Sequence, residues 1–366
     1  MQRRAFLACV LAPSTVVLVA ACSQTVSTPA SPPTTAAGGQ GTAAAAQPTP
    51  AAAPTAPAAA TAQTGPRSKV AISFSDRTAS DLALFLAKTV DLFGKYNVDA
   101  DLQYVASNTG IPALISDQTQ FALIGGPETL AANVEGADLV AILQNSGAQP
   151  YVMEVAGSIQ TIDDLKGKKV GISSVGSSSD SATRISLRLK GLNPDQDVNI
   201  VAVGSLENRM SAMLNGAVDA GLASPPDTLA LEDGGMHVLY DCSQLSMPPL
   251  AQCLITRRAT INSQRDLVQR VVNAVVEATA VQKRDKAASQ KALTDWANMT
   301  DQRVLDVAYD YWTNHVLRIP PTLKQDDFQA FVDDLAQRNE KAKGFDPSKM
   351  IDTSFVDAAT QQGLAG

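Results

Sequence analysis

Two stretches of this sequence occur twice, each time about 100 residues apart. The segment KVAIS at 69–73 returns as KVGIS at 169–173, and ALISDQTQFALIGGPETLA at 113–131 aligns without a gap on AMLNGAVDAGLASPPDTLA at 212–230. The copies are separated by 100 and 99 residues, so both preserve the same order of parts. An internal repeat of this kind predicts two lobes of similar topology that face one another.

Short β-rich runs alternate with helical patterns through this repeat, which is typical of an α/β fold. The candidate strands are 70–74, 101–105, 120–124, 139–143, 169–173, 198–203 and 218–223. From about 263 to 362 the apolar spacing is helical throughout, which predicts a helical C-terminal part. Aromatic residues on one of these helices fit core packing, with stacking on a ligand as the alternative: Tyr309, Tyr311 and Trp312.

The first 22 residues resemble a bacterial lipoprotein signal peptide. Arg3 and Arg4 precede an apolar run that is too short for a membrane span and is interrupted by Pro13. The ending VAAC resembles a lipobox, in which Cys22 would carry the lipid, and an ordinary cleaved signal is the alternative. The arginine pair also resembles a twin-arginine export signal. Residues 23–66, almost wholly Ala, Pro, Thr, Ser, Gly and Gln, predict a disordered tether above a membrane surface.

The remaining chain, from Arg67 onward, is acidic. Removal of the signal changes the formal net charge from −7 to −9, which argues against nucleic acid as a partner. Cys242 and Cys253 remain, and their spacing permits a disulfide in an oxidising compartment. With two histidines and no C-x-x-C motif, the sequence predicts neither a metal site nor a cofactor.

A serine-rich loop, GISSVGSSSDS at 171–181, follows the candidate strand at 169–173. In a parallel α/β lobe, ligands collect at the carboxyl ends of strands, where loops lead into helix N-termini. In one interpretation, the hydroxyls and free N–H groups hold an anionic or carbonyl oxygen of a ligand. In the other, Ser178 or Ser179 caps the helix and the remaining serines are solvated. The hydroxyl-rich loop at 73–80 in the first copy favours a binding site.

Two enzyme motifs fail on this same loop. The pattern Gly171-x-Ser173-x-x-Gly176 is one residue too long for a nucleophile elbow. The spacing Gly171-x4-Gly176 matches a phosphate loop, but Ser177 stands where lysine is required. We therefore expect a binding protein and not an enzyme.

The order of motifs resembles a family, the extracytoplasmic solute-binding proteins of ABC transporters that bind nitrate, sulfonates, taurine or the pyrimidine precursor of thiamine. The resemblance lies in LAKTVDLFGKYNVDADL (86–102), ALISDQTQFALIGG (113–126), DLKGKKVGISSVGSSSD (164–180) and MSAMLNGAVDAGLASPPD (210–227). Three residues depart from the family pattern at connections: Asn97 and Asp117 stand in places usually held by glycine, and Gln120 in a place usually held by aspartate.

The resemblance implies a two-lobe periplasmic-binding-protein fold of type II, the Venus-flytrap architecture. With chain crossings near 149–154 and 252–257, lobe one would comprise 67–152 plus 256–366, and lobe two 153–255. It also implies a lipid-anchored monomer that delivers a small solute to the permease and ATPase subunits of an importer. A ligand-sensing receptor module without a transport role is the alternative. Thiamine-pyrimidine synthases of this family carry a cysteine-rich run that this sequence lacks, which argues against that enzyme.

The expected ligand-binding residues come from loops of both lobes. They are Ser75, Asp76, Arg77, Asn108, Thr109, Gly125, Gly126 and Glu128 in lobe one, and Ser174, Gly176, Ser177, Ser178, Ser179, Ser224 and Asp227 in lobe two. For a strongly anionic ligand we expect Arg77 as the partner, since Arg184 lies a turn into its helix and Arg209 is interpreted as part of a solvated face. A neutral or aromatic-acid ligand fits about as well.

Overall fold

The computed structural model describes residues 65–249 and 252–366. The predicted signal peptide, the lipobox at Cys22 and the tether up to residue 64 lie outside these residues. Among the described helices, none is both long enough and apolar enough to cross a membrane.

Ten strands are found in the described chain. In chain order they are β1 (Ser68–Phe74), β2 (Val98–Tyr104), β3 (Phe121–Gly125), β4 (Leu139–Gln144), β5 (Val152–Ala156), β6 (Lys169–Ile172), β7 (Asn199–Ala202), β8 (Ala220–Ala223), β9 (Met236–Asp241) and β10 (Gln252–Arg257). They form two five-stranded sheets with the orders β2-β1-β3-β10-β4 and β7-β6-β8-β5-β9. The two sheets therefore share one topology, which confirms the predicted two-lobe α/β fold.

Each sheet contains one strand that runs against its neighbours. β10 pairs antiparallel with β3 and β4 in the first sheet, and β5 pairs antiparallel with β8 and β9 in the second. Each of these strands directly follows a passage of the chain from the other sheet. We call the first sheet with its packed helices the first lobe, and the second sheet with its packed helices the second lobe.

The helices surround both sheets, and the C-terminal ones pack mainly on the first lobe. They are α1 (Leu82–Thr89), α2 (Leu92–Lys95), α3 (Ser107–Ile115), α4 (Gly126–Val134), α5 (Ser178–Leu189), α6 (Leu206–Leu214), α7 (Asp227–Asp233), α8 (Arg258–Ser263), α9 (Arg265–Arg284), α10 (Lys286–Ala297), α11 (Gln302–Tyr311), α12 (Gln325–Ala336) and α13 (Ser354–Gln361). One-turn 3₁₀ helices lie at Ala79–Asp81, Asp163–Leu165, Cys242–Gln244, Glu340–Ala342 and Pro347–Met350, and a π-helical turn lies at Trp312–Val316.

The longest helix, α9, shows why the C-terminal part folds onto the first lobe. Its apolar residues recur every three or four positions, and Val268, Val271, Val272 and Val275 are buried in the core of that lobe. An apolar stripe of this kind must pack against another element to leave water. It packs against α1 and α13, so the predicted helical C-terminal part is confirmed.

All seven candidate strands are present, with ends that differ by a few residues. Three strands were not predicted, namely β5, β9 and β10. Residues 252–257, near which the second crossing is expected, form β10 within the first sheet. The chain leaves the first sheet after β4 and returns to it between β9 and β10. The exact limits of the two lobes remain a prediction.

Two of the three departures from the family pattern occur where the chain needs a left-handed backbone. Asn97 has a φ of 55°, and Asp117 has a φ of 64°. Gly216, which the sequence repeat aligns with Asp117, has a φ of 74°. Asparagine and aspartate tolerate this region better than other residues with a side chain, so both turns keep their geometry.

The third departure, Gln120, substitutes for an aspartate by making the same contact. The Ala71 N–H donates to Gln120 Oε1 at 2.9 Å, and in the second lobe the Lys169 N–H donates to Asp219 Oδ2 at 2.8 Å. These contacts make Ala71 the counterpart of Lys169, so the KVAIS and KVGIS segments lie in equivalent strands but two residues out of register. The longer match at 113–131 and 212–230 keeps its alignment.

Candidate functional site

A cavity of about 40 Å³ lies between the two lobes. This volume accommodates on the order of three water-sized spheres. Residues from both lobes line it: Ser75, Asp76, Thr78, Ser80, Ser107, Gly125, Glu128, Tyr151, Ser173, Ser177, Ser178, Ser179, Leu206, Arg209, Ser224, Gln252 and Trp312. Its wall is rich in hydroxyl and carboxyl groups, which suits a small polar ligand.

The serine-rich loop contributes hydroxyls to the cavity, and some of their hydrogen bonds are made within the loop. Ser177 is the N-cap of α5 and accepts a hydrogen bond from the Asp180 N–H, while Ser179 Oγ accepts one from the Ser173 N–H at 2.9 Å. The two hydroxyls lie 3.0 Å apart. Because each hydroxyl has a single proton, one of the pair donates to the other and the remaining proton is free to meet a ligand. The loop is therefore both a helix cap and a hydrogen-bond donor to the cavity.

The first lobe repeats this arrangement. Thr78 caps the 3₁₀ turn Ala79–Asp81, its hydroxyl lies 2.7 Å from Ser80 Oγ, and both residues line the cavity. The sequences T-A-S-D at 78–81 and S-S-S-D at 177–180 occupy the same position in the two lobes, 99 residues apart. The hydroxyl-rich loop at 73–80 was expected from the sequence to take part in the site, whereas this shared four-residue pattern was not recognised.

Glu128 connects the two lobes across the cavity. Its carboxylate accepts hydrogen bonds from the backbone N–H and the hydroxyl of Ser178, both at 3.0 Å. Glu128 lies in the first turn of α4, and Ser178 in the first turn of α5, where unpaired backbone N–H groups favour a negative charge. Burial nevertheless raises the pKa of Glu128 to about 7. Gly125 makes the approach possible, because a Cβ there would lie 1.9 Å from Ser178 Oγ.

Arg209 is the buried cation of this site, which corrects the interpretation of this residue as part of a solvated face. It is 2% exposed and lines the cavity from α6. Its Nε donates to the Leu222 carbonyl at 3.0 Å and its Nη1 to Ser173 Oγ at 2.7 Å. The side chain crosses the sheet over Gly171 and Gly221, where the absence of side chains leaves room for its stem. The helix position looked solvated because its burial depends on those two distant glycines.

Two further carboxyls face the same region. Burial raises the pKa of Asp76, and burial also raises the pKa of Asp227 to about 7, although the nearby Arg209 opposes both changes. Asp76 accepts a hydrogen bond from the Ser75 hydroxyl at 3.1 Å, whereas the Asp227 carboxyl has no hydrogen-bond partner among the described residues. The sequence repeat aligns Asp227 with Glu128.

Eight of the fifteen expected ligand-binding residues line the cavity: Ser75, Asp76, Gly125, Glu128, Ser177, Ser178, Ser179 and Ser224. Ser174, Gly176 and Gly126 belong to the same loops without lining it, and Asp227 lies beside it. Asn108 and Thr109 are exposed on α3, and Ser107 lines the cavity in their place. Arg77 is exposed and its guanidinium lies 4.8 Å from the ring centroid of Tyr104. A role for these residues in ligand binding remains a prediction.

The aromatic cluster divides between core and cavity. Tyr309 is buried, and its hydroxyl donates to the Gln282 carbonyl at 2.9 Å. Trp312 begins the π-helical turn and lines the cavity, and its Nε1 donates to the Pro225 carbonyl of the second lobe at 2.7 Å. π-helical turns are frequent at functional sites. The ligand-facing alternative therefore fits Trp312, and the core interpretation fits Tyr309.

The disulfide that the cysteine spacing permits is not formed. Cys242 and Cys253 are both free and buried, and they lie in separate hydrophobic clusters, one in each lobe. Cys242 follows β9 of the second lobe and Cys253 lies in β10 of the first lobe, so the two thiols are in different lobes. Burial raises the pKa of Cys242 to about 12, so its thiol is inert.

Comparisons with known proteins agree with this architecture. The model of the NMT1/THI5-like family matches residues 80–286. No curated protein sequence matches the chain. Among solved structures, the alkanesulfonate-binding protein SsuA from Xanthomonas axonopodis pv. citri, bound to MOPS, superimposes with a TM-score of 0.65 at 21% identity, covering 79% of this chain and 100% of its own. The periplasmic nitrate-binding protein NrtA from Synechocystis PCC 6803 gives 0.67 at 14% identity, covering 82% and 91%.

Proposed function

Because the chain belongs to the NMT1/THI5-like family, we propose that it is the solute-binding component of an ABC importer. It captures a small solute between its lobes on the extracytoplasmic side of the cell membrane and passes it to permease and ATPase subunits. A lipid on Cys22 and the tether that follows hold it at that membrane. Neighbours named for alkanesulfonate and nitrate binding support a small solute as the ligand.

One observation carries this proposal: the polar cavity is built from the same kind of loop in both lobes. Thr78 and Ser80 face it from the first lobe, and Ser177 and Ser179 face it from the second. A ligand that contacts both sets of hydroxyls stabilises the conformation in which the lobes are close together. The cavity is not filled by side chains, which leaves room for a small solute between the lobes.

The lining residues support binding more than catalysis. They include many serines but no histidine and no cysteine. A serine nucleophile needs a neighbouring base within hydrogen-bond reach, and imidazole is the usual one.

Attachment is tested by replacing Cys22 with serine in the full chain. We expect Cys22→Ser to abolish incorporation of labelled palmitate and to release the protein from the membrane fraction or leave it uncleaved. A correctly cleaved Cys22→Ser protein that is retained on the membrane as well as the wild type would refute lipid anchoring.

Solute binding is tested by calorimetry with small acids and amino acids, using Ser177→Ala and Ser80→Ala. Loss of a hydroxyl that bonds the ligand costs about 1 to 3 kcal/mol, roughly 5- to 150-fold in affinity. Ser116→Ala provides the matched control, because Ser116 is an exposed serine that does not line the cavity. Wild-type affinity in both serine variants would show that the ligand lies elsewhere.

A further inference from the structure

The charges around the cavity are strongly unbalanced. Asp76 and Glu128 line it from the first lobe, and Asp227 lies beside it in the second. Asp81 lies directly behind the lining, where its Oδ1 accepts hydrogen bonds from Gln252 Nε2 at 2.8 Å and from the Ser80 hydroxyl at 3.0 Å. Against these four carboxyl groups stands one cation, Arg209. Burial raises the pKa of each of these carboxyls, and repulsion by Asp76 adds to the rise at Asp81, Glu128 and Asp227, so a cationic group that faces them stabilises their ionised forms.

The excess of carboxyl groups over cations is not found at the equivalent position of the second lobe. Asp180, the second-lobe counterpart of Asp81, is neutralised by Arg184, whose Nε lies 2.6 Å from its Oδ1. Among the described residues Asp81 has no such cation, and its buried Oδ2 has no hydrogen-bond partner there. The buried ion pairs found among the described residues include neither the four carboxyls of the cavity nor Arg209.

Asp227 shows the same difference. It is the repeat counterpart of Glu128, whose carboxylate is bonded to Ser178. The first-lobe counterpart of Ser178 is Ala79, which has no hydroxyl to offer. The Asp227 carboxyl is consequently without a protein partner in the described chain.

Arg209 is also free to meet a ligand. Its Nε and Nη1 bond to a carbonyl and a serine, and its Nη2 has no hydrogen-bond partner among the described residues. It forms no ion pair with the carboxyls of the site, although its side chain is 2% exposed. A buried guanidinium without a carboxylate partner is suited to an acidic group of the solute.

We propose that the cleft binds a small zwitterion, whose cationic nitrogen faces Asp76, Glu128 and Asp227 and whose acidic group pairs with Arg209. A simple anion would satisfy Arg209 and leave the carboxyls uncompensated, whereas a zwitterion satisfies both. Within residues 65–249 and 252–366 no group of three or more His, Cys, Asp or Glu side chains is arranged to hold a metal ion, so the proposal assigns the positive charge to the solute. This inference rests on the proposed function and specifies its solute.

Matched probes of similar size test the inference by calorimetry on the full chain. β-Alanine carries both charges, propionate lacks the amine and propylamine lacks the acid, while taurine and ethanesulfonate repeat the comparison with a sulfonate. We expect each zwitterion to bind at least tenfold more tightly than its singly charged analogues. Propionate, ethanesulfonate or nitrate binding as tightly as the zwitterions would overturn the inference and leave the solute-binding function standing. No response to any probe would count against both.

Substitution of Asp227 isolates the cationic half. We expect Asp227→Asn to weaken β-alanine binding at least tenfold while leaving propionate binding unchanged or tighter, because only the amine loses its partner. Asp233→Asn is the matched control, since Asp233 lies on the same helix and is exposed. Equal loss for β-alanine and propionate in Asp227→Asn would point to a purely structural role and reject the assignment, and circular dichroism confirms that the variants are folded.

Discussion

We predict that Glu154, a buried acid, makes the free energy of unfolding depend on pH. It lies in the middle of β5, between Gly221 of β8 and Val238 of β9, and is 0% exposed. Neither of its carboxyl oxygens has a hydrogen-bond partner in the part of the chain that the structure describes. Burial, and to a lesser degree the charge of Glu232, raises the pKa of Glu154 to about 7. The folded protein therefore keeps a proton there that the unfolded chain releases at lower pH.

The sign and size of the effect follow from these two pKa values. Below pH 4.5 the carboxyl is protonated in both states, so burial carries no ionisation cost. As pH rises from 4.5 towards 7, the unfolded chain releases its proton first and the free energy of unfolding falls. The difference between a pKa of 4.5 and one of about 7 corresponds to a loss of about 3 kcal/mol above neutrality. Glu154→Gln removes the ionisation with little change of shape.

Urea unfolding of both proteins at pH 4 and pH 8 measures this loss. We expect the stability of Glu154→Gln relative to the wild type to rise by about 3 kcal/mol between the two pH values. Glu232→Gln serves as the control, because Glu232 is exposed and contributes only the smaller cause, so its stability difference should change little with pH. If the difference in unfolding free energy between Glu154→Gln and the wild type is the same at pH 4 and pH 8, the raised pKa of Glu154 is refuted.

Two other predictions concern the cysteines and the contact between the lobes. Because Cys242 and Cys253 are free and buried, native protein without residues 1–22, kept without reductant, should resist iodoacetamide and should gain two labels once unfolded, as read by intact mass. An unlabelled mass lower by two protons would contradict this. Gly125→Ala places a Cβ 2.1 Å from Glu128 Oε2, so it should separate Glu128 from Ser178 and increase the radius of gyration in X-ray scattering, and an unchanged curve would argue against the contact.

The parts of the fold that depend on local sequence were predictable. Strand runs, the helical C-terminal pattern and the repeat all follow from spacing within a few residues. The turns at Asn97 and Asp117 belong to the same class, since a left-handed residue can be recognised from its side chain. The repeat itself was exact over 113–131 but misleading at KVAIS, because a shift of two residues keeps the same faces of a strand and leaves the hydrophobic pattern unchanged.

Two of the three unpredicted strands, β5 and β10, and the absence of the disulfide have one physical cause. β5 and β10 each enter a sheet built mostly by residues distant in sequence, and they pair antiparallel there. Each of these strands has a neighbouring strand on both sides and contains a buried polar residue, Glu154 in β5 and Gln252 in β10. Such residues obscure the alternation of apolar and polar positions by which a strand is recognised. The passage before β10 also separates Cys242 from Cys253, so closeness in sequence did not mean closeness in space.

Arg209 was missed because its burial is decided by residues on other elements, yet the repeat contains the signal. α3 and α6 each have nine residues and are aligned 99 residues apart, so Arg209 corresponds to Gly110. The strand pair Ser73 and Ala122 of the first lobe corresponds to Gly171 and Gly221 of the second. The first lobe therefore has the small residue on the helix and the larger ones in the sheet, and the second lobe has the reverse. A Cβ on Gly110 would already lie 3.1 Å from Ile124 Cδ1, whereas Arg209 extends over two glycines. Because the buried cation of the cavity comes from the second lobe, the zwitterion that we propose would place its acidic group on that lobe.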